Sequence, residues 1–206
     1  MVAQTTTIES VTVIRPLKIT ALLCLIISLG LMIAALSTNN WLRTGSYHTG
    51  LFNECTDTGG LDSLIKPISG SPLPGQCQKT KDYAYVKAVI SLLIISCIII
   101  LFASISNILG LKSDDQHRKY LYHKVATGLT FLAVLCDILS LIIYPACFYN
   151  IMSMLQIRHW ELDYSYAIAW GAFSFAFTAL LLKICDKEHE EVYYKEKTVY
   201  NPPQLS

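Results

Sequence analysis

The chain has 206 residues, of which 53% are hydrophobic and only 15% charged, with a formal net charge of +1 and a mean hydropathy of +0.44. A soluble domain carries about 25% charged residues, and a soluble fold burying all of this apolar sequence would keep almost no polar surface, which excludes that class. The net charge of +1 says nothing about partners, and no basic cluster points to nucleic acid.

The missing charge is concentrated in four blocks. Residues 1–16 are a short polar entry ending in Arg15-Pro16, and Ile19–Leu36 then runs without a charge. Roughly 20 apolar residues cross a hydrocarbon core of about 30 Å as a helix, and a helix satisfies its own backbone where water is absent. A first transmembrane helix is expected over 17–38. The run is too long for a signal-peptide core and no small-residue cleavage site follows, so it reads as a retained anchor.

Residues 39–83 form the first and largest loop. Its ends, Trp41–Phe52 and Cys77–Val86, are rich in Thr, Tyr, Val and aromatics, which suits strands. Its middle, Asp57–Gly75, holds four glycines and three prolines and reads as an irregular flap. Cys55 and Cys77 are the expected disulfide, a tie that a few short strands without a large core require. Cys147 is the alternative partner for either of them.

A second helix is expected over 84–111, a short inner turn over 112–124 and a third helix over 125–144, closed by Tyr144-Pro145. A smaller outer loop over 145–163 and a fourth helix over 164–185 follow. The chain ends in a charged, tyrosine-bearing tail over 186–206, read as a solvated segment with a docking or phosphorylation role as the alternative. Lys and Arg favour the flanks at 1–16, 112–124 and 186–206, which predicts both termini in the cytoplasm. The paired cysteines then fall on the oxidising side, in agreement.

Within the bundle, helix association in lipid needs small residues. Ala167, Gly171, Ser174 and Thr178 share one face of the fourth helix and are the expected packing stripe. Asp137 is the one acid inside the apolar blocks, and such a residue is costly to bury. Twelve residues above Val125, it stands roughly 18 Å up its helix, level with Ser28, Ser96 and either Trp170 or Ser174. No cation lies at that level, which favours a hydrogen-bonded or protonated carboxyl locking the bundle over an ion-pathway residue. Zinc-protease, nucleophile-elbow, phosphate-loop and paired C-x-x-C motifs are absent, so no catalytic residue, metal or cofactor is expected.

Four helices, cytoplasmic termini and a large first loop bearing Trp41, Gly50-Leu51-Phe52, Cys55 and Cys77 resemble the claudin and peripheral myelin protein superfamily. Leu141-Ile142-Ile143-Tyr144-Pro145 and Tyr166–Ala172 resemble one junction-associated subfamily within it. The resemblance implies a left-handed four-helix transmembrane bundle with a small extracellular antiparallel β-sheet, Trp41, Phe52 and the disulfide lying inside that sheet's scaffold. It also implies a plasma-membrane protein of cell–cell junctions that organises adherens-junction components, cell shape and epithelial integrity. Its partners would be membrane lipid, lateral membrane proteins such as cadherin–catenin components, and further copies of itself in a homo-oligomer. Two departures, Phe52 where claudins carry Trp and 21 residues between the cysteines, weigh against a paracellular barrier or channel. An auxiliary subunit of a channel or receptor is the third reading.

Overall fold

A computed structural model describes residues 6–10, 16–58, 70–113, 116–154, 160–186 and 194–198. The centre of the expected flap (59–69), the second-loop residues 155–159 and the tail at 187–193 and 199–206, with Tyr193 and Tyr200, lie outside them.

Four helices, α1 (Pro16–Ser37), α2 (Ala84–Lys112), α3 (Gln116–Met154) and α4 (Tyr164–Cys185), are each long and apolar enough to cross a membrane. They pack most closely as two pairs, α2 with α3 and α1 with α4. Outward side chains such as Leu23, Ile33, Phe102, Phe131, Ile142 and Ile184 are about half exposed. Apolar surface on that scale suits lipid rather than water. At the end of the bundle remote from the sheet, Lys18 pairs with Asp186 at 3.7 Å, and the buried Lys183 ammonium donates to Thr130 Oγ1 at 3.2 Å.

Seven strands accompany the helices among the described residues: β1 (Thr6–Ser10), β2 (Leu42–Thr44), β3 (Tyr47–Thr49), β4 (Asn53–Thr56), β5 (Cys77–Lys79), β6 (Glu161–Leu162) and β7 (Tyr194–Thr198). Five of them make one antiparallel sheet in the order β5-β4-β3-β2-β6, a cap over one end of the bundle. The β2–β3 hairpin closes through Gly45-Ser46, with Gly45 at φ 58°, the left-handed backbone that two-residue hairpin turns demand. β1 pairs antiparallel with β7, from Thr6 opposite Thr198 to Ser10 opposite Tyr194. Part of the expected solvated tail is thus a strand that brings the two ends of the chain together.

The third helix departs most from expectation. It starts at Gln116 and runs through Pro145 to Met154, 39 residues or roughly 58 Å at 1.5 Å per residue, well beyond a hydrocarbon core. The charged residues at 117–124 mark where apolar sequence begins, but His, Arg, Lys, Tyr and Leu all tolerate helix. Past Pro145 the helix is held by burial, because Phe148 and Met152 pack with Leu42 of the cap and against Trp160. Proline ordinarily breaks a helix by withholding one N–H from the carbonyl four residues earlier. Here that carbonyl, Leu141 O, accepts the Tyr166 hydroxyl of α4 at 2.8 Å.

Candidate functional site

The cap is seated on the bundle through Trp41, which is completely buried. Its ring stands edge-on to Tyr144 of α3 at 5.1 Å and to Tyr166 of α4 at 5.9 Å. Its Nε1–H donates to Ala35 O at 2.8 Å, one of the last four carbonyls of α1, which have no intrahelical donor. Its backbone N–H donates to Thr49 O, and its own carbonyl accepts from Asp163 N. One residue therefore ties three helices to the sheet. Asp163 caps α4, its carboxylate accepting from Tyr164 N at 2.7 Å, where the helix dipole favours negative charge.

Gly50-Leu51-Phe52 forms the turn from β3 to β4, closed by Gly50 N–H donating to Asn53 O at 2.8 Å. Gly50 lies so close to the end of α1 that a Cβ on it would stand 2.5 Å from Asn39 Cα and 2.9 Å from Thr38 O, both backbone. Only glycine fits this approach. Leu51 points inward and is 1% exposed, whereas Phe52 is 43% exposed. This corrects the expectation that Phe52 lies inside the scaffold: in a tight turn adjacent side chains diverge, and Leu51 takes the inner position.

Cys55 and Cys77 form the disulfide, directly opposite each other on β4 and β5, and Cys147 on α3 remains free. Beside it, Glu54 is 2% exposed. Its carboxylate accepts the Tyr47 hydroxyl at 2.6 Å and Gln78 Nε2. Burial and then the Glu54 hydrogen bond hold the Tyr47 phenol well above its usual range. Glu54 carries no signal in the sequence, and Tyr144 and Tyr166, which stand there only as parts of resembling segments, take a role in seating the cap. The signal for Tyr166 was Pro145, which within a helix leaves the Leu141 carbonyl in need of a donor.

Asp137 is fully buried, and neither carboxyl oxygen has a hydrogen-bond partner among the described residues. Ser96 faces it, yet the Ser96 hydroxyl is aimed at Ala133 O at 3.4 Å. Ser28, also buried, donates to Ala172 O. Trp170 and Ser174 point outward.

The expected packing stripe on α4 is a second correction. Ala167, Ser174 and Thr178 are exposed, and Gly171 is half-buried with Leu31 Cδ1 3.9 Å from where its Cβ would stand. The buried seam is Ala169, Ala172, Ala176 and Ala179, at completely buried positions. Both rows are small and helical in spacing. The large residues decide between them, since Tyr166 and Leu180 accompany the alanine row into the interior. Ser174 and Thr178 satisfy their hydroxyls within α4 by donating to Trp170 O and Ser174 O, so lipid contact leaves nothing unpaired.

The Tyr166 contact makes a test of its own. Tyr166→Phe is expected to cost about 1–3 kcal/mol, the penalty of a buried carbonyl left without a donor. In a Pro145→Ala background the returned N–H serves Leu141 O, and the same change should cost at least about 0.5 kcal/mol less, the mark of coupled sites. Denaturation of the four proteins of this cycle in mixed micelles measures both numbers. Additive losses would disprove the pairing.

Four membrane-length helices carrying a disulfide-tied antiparallel sheet seated through Trp41, Gly50 and Leu51 define a claudin-like multi-pass membrane protein. The family model described as the PMP-22/EMP/MP20/Claudin family matches residues 17–182, and the chain belongs to that family. It is also similar to a Danio rerio protein described as "p53 apoptosis effector related to PMP-22". The two are 28% identical over 139 residues, 67% of this chain and 72% of that protein.

Proposed function

We propose that this protein is a non-enzymatic organiser of cell–cell junctions at the plasma membrane, similar within its family to transmembrane protein 47. Both termini lie in the cytoplasm and the cap is extracellular. Lysine and arginine distribution supports that orientation, as does a disulfide at the end of the bundle remote from the β1–β7 pair. The observation that carries the functional reading is the rigid seating of the cap, which holds an exposed surface, Phe52 included, in fixed relation to the bundle. Adherens-junction components of the cadherin–catenin type are the lateral partners, and the outward small-residue row on α4 is the face offered for homo-oligomer contact. Asp137 acts in packing, because no cation lies at its level among the described residues; the buried Lys183 sits about two turns away, bonded to Thr130.

The runner-up is a claudin-type barrier or channel, whose pore lining needs a row of like charges. Charges on and beside the cap are instead of both signs: Lys87 pairs with Asp82 at 3.4 Å, and Arg43 stands opposite Glu161 across β2 and β6. Proximity labelling from the full-length protein in contacting epithelial cells tests the proposal. Enrichment of cadherins and catenins at contacts is the expected result. Freeze-fracture strands in non-adherent cells would favour the barrier, and retention in internal membranes without contact enrichment would end both readings.

A further inference from the structure

Beneath the cap, between the sheet and the adjoining parts of α2 and α3, lies a cavity walled by Tyr47, Tyr83, Tyr85, Tyr144 and Phe148, with Glu54 among its lining residues. The centre of a water molecule has about 40 Å³ in which to move there, so the space approximates a sphere of roughly 3.5 Å radius once the water's own radius is added. Tyr83 stacks on Tyr85 at 5.7 Å, Tyr85 meets Tyr144 at 6.5 Å, and Tyr144 stacks on Phe148 at 6.4 Å. Four rings thus follow one another in a continuous wall. Tyr83 is partly exposed at 37%, which opens one side to the surroundings.

The acid is the informative member. Glu54 is held by two neutral donors, Tyr47 and Gln78, and no Lys, Arg or His pairs with it among the described residues. A carboxylate withdrawn from water without a counter-charge is costly. Lys81 also lines the cavity, but its ammonium is turned to the Gly70 turn, where Nζ lies 3.1 Å from the position of a Cβ on Gly70. An ordinary aromatic belt at the membrane surface explains the exposed Tyr83; it does not explain a buried, unpaired acid behind the rings.

The chemistry of the lining selects the ligand. Anions are repelled by Glu54. A hard metal ion needs six or more oxygen ligands, and five of the residues lining the cavity are aromatic. A neutral apolar group would leave the carboxylate uncompensated. A quaternary ammonium carries a diffuse charge, asks for no hydrogen bond and is drawn to aromatic faces.

We propose that this cavity binds the trimethylammonium group of a choline compound, with Glu54 as counter-charge and Tyr83, Tyr85 and Tyr144 as its aromatic walls. The source is either the headgroup of a choline lipid in the adjoining leaflet or a free choline solute. Tyr83 and Tyr85 flank Ala84, where α2 and its apolar run begin, so the cavity stands near headgroup level.

The test uses the full-length protein in nanodiscs of phosphatidylglycerol, which lacks a quaternary ammonium. Calorimetric titration with choline is expected to give saturable binding, about tenfold tighter than that of dimethylbutanol, the neutral isostere of choline. Glu54→Gln should weaken choline binding by about tenfold or more while the Cys55–Cys77 bridge still forms. If that variant fails to fold, Tyr85→Leu at the half-buried wall makes the same comparison. Discs holding equal phosphatidylcholine and phosphatidylglycerol identify the source. Preferential retention of phosphatidylcholine in native mass spectra, with choline binding suppressed, assigns the lipid headgroup; unchanged choline binding without lipid enrichment assigns the solute. Equal affinity for choline and its isostere, choline binding undiminished in Glu54→Gln, or no binding together with no lipid enrichment would each overturn the proposal.

Discussion

Replacing Trp41 with Ala is expected to destabilise the protein by about 3–5 kcal/mol, the cost of emptying a large aromatic site in a packed core. The residue is wholly buried within the cluster that includes Met32, Ala35, Leu51, Val89, Tyr144 and Tyr166. These belong to all four helices and the β3–β4 turn, so no single element can shift to fill the void. Two aromatic edge contacts are lost along with the area, at about 0.5–1.5 kcal/mol each beyond simple burial. Trp41→Phe separates packing from polarity. It keeps most of the ring and removes the bond to Ala35 O, which still accepts the Thr38 hydroxyl at 3.1 Å, together with a smaller part of the packed volume. The Phe variant should therefore lose less, about 1–2 kcal/mol. Titration of the full-length protein with denaturing detergent reads both values. A loss near 1 kcal/mol for Trp41→Ala would mean that the cap is not seated through this residue.

Parts of this architecture were legible because a single physical constraint dominated them. The four apolar runs had to be helices, since lipid offers the backbone no other partner, and the paired cysteines were the natural tie for a loop too small to hold a core. Where two constraints competed, the sequence was ambiguous. Pro145 signalled a helix end, but the proline rule assumes that the freed carbonyl has nowhere to go, and Tyr166 supplies a donor 25 residues away. On α4 the Ser/Thr-bearing row and the alanine row have the same period and similar size, so only the company of Tyr166 and Leu180 distinguishes the seam. Phe52 matched an aromatic motif position without inheriting a buried place, because the turn at Gly50 rotates Leu51 inward instead. Glu54 gave no sequence signal at all: alternation along β4 does not say which face meets rings contributed by α2 and α3.

Removing the disulfide by Cys55→Ser with Cys77→Ser is expected to cost the cap about 3 kcal/mol, the entropy of closing a loop with a sequence separation of 22 residues. The loss should be local. β5 is three residues long and exposed throughout, and it forms the edge of the sheet against β4 alone. Apart from the bridge it is held by hydrogen bonds to β4 and the turn before it, among them Thr80 N–H to Phe52 O at 2.9 Å and the Gln78 bond to Glu54. Those contacts carry a strand whose ends are already fixed; they do not supply the closure entropy of the segment between the cysteines. The Trp41 seat, by contrast, draws on α1, α3 and α4 and has no residue in that segment. Hydrogen exchange should therefore accelerate in β4 and β5, and trypsin should cut after Lys79 and Lys81, while protection in the four helices and the Trp41 amide persists. In contacting cells the same variant separates two roles of the cap. If partners are gathered by the surface that the bridge holds in shape, the variant reaches the plasma membrane but loses enrichment at contacts. Retained enrichment with an opened cap would assign recruitment to the helices instead, and parallel loss of helix protection would show that cap and bundle fold as one unit.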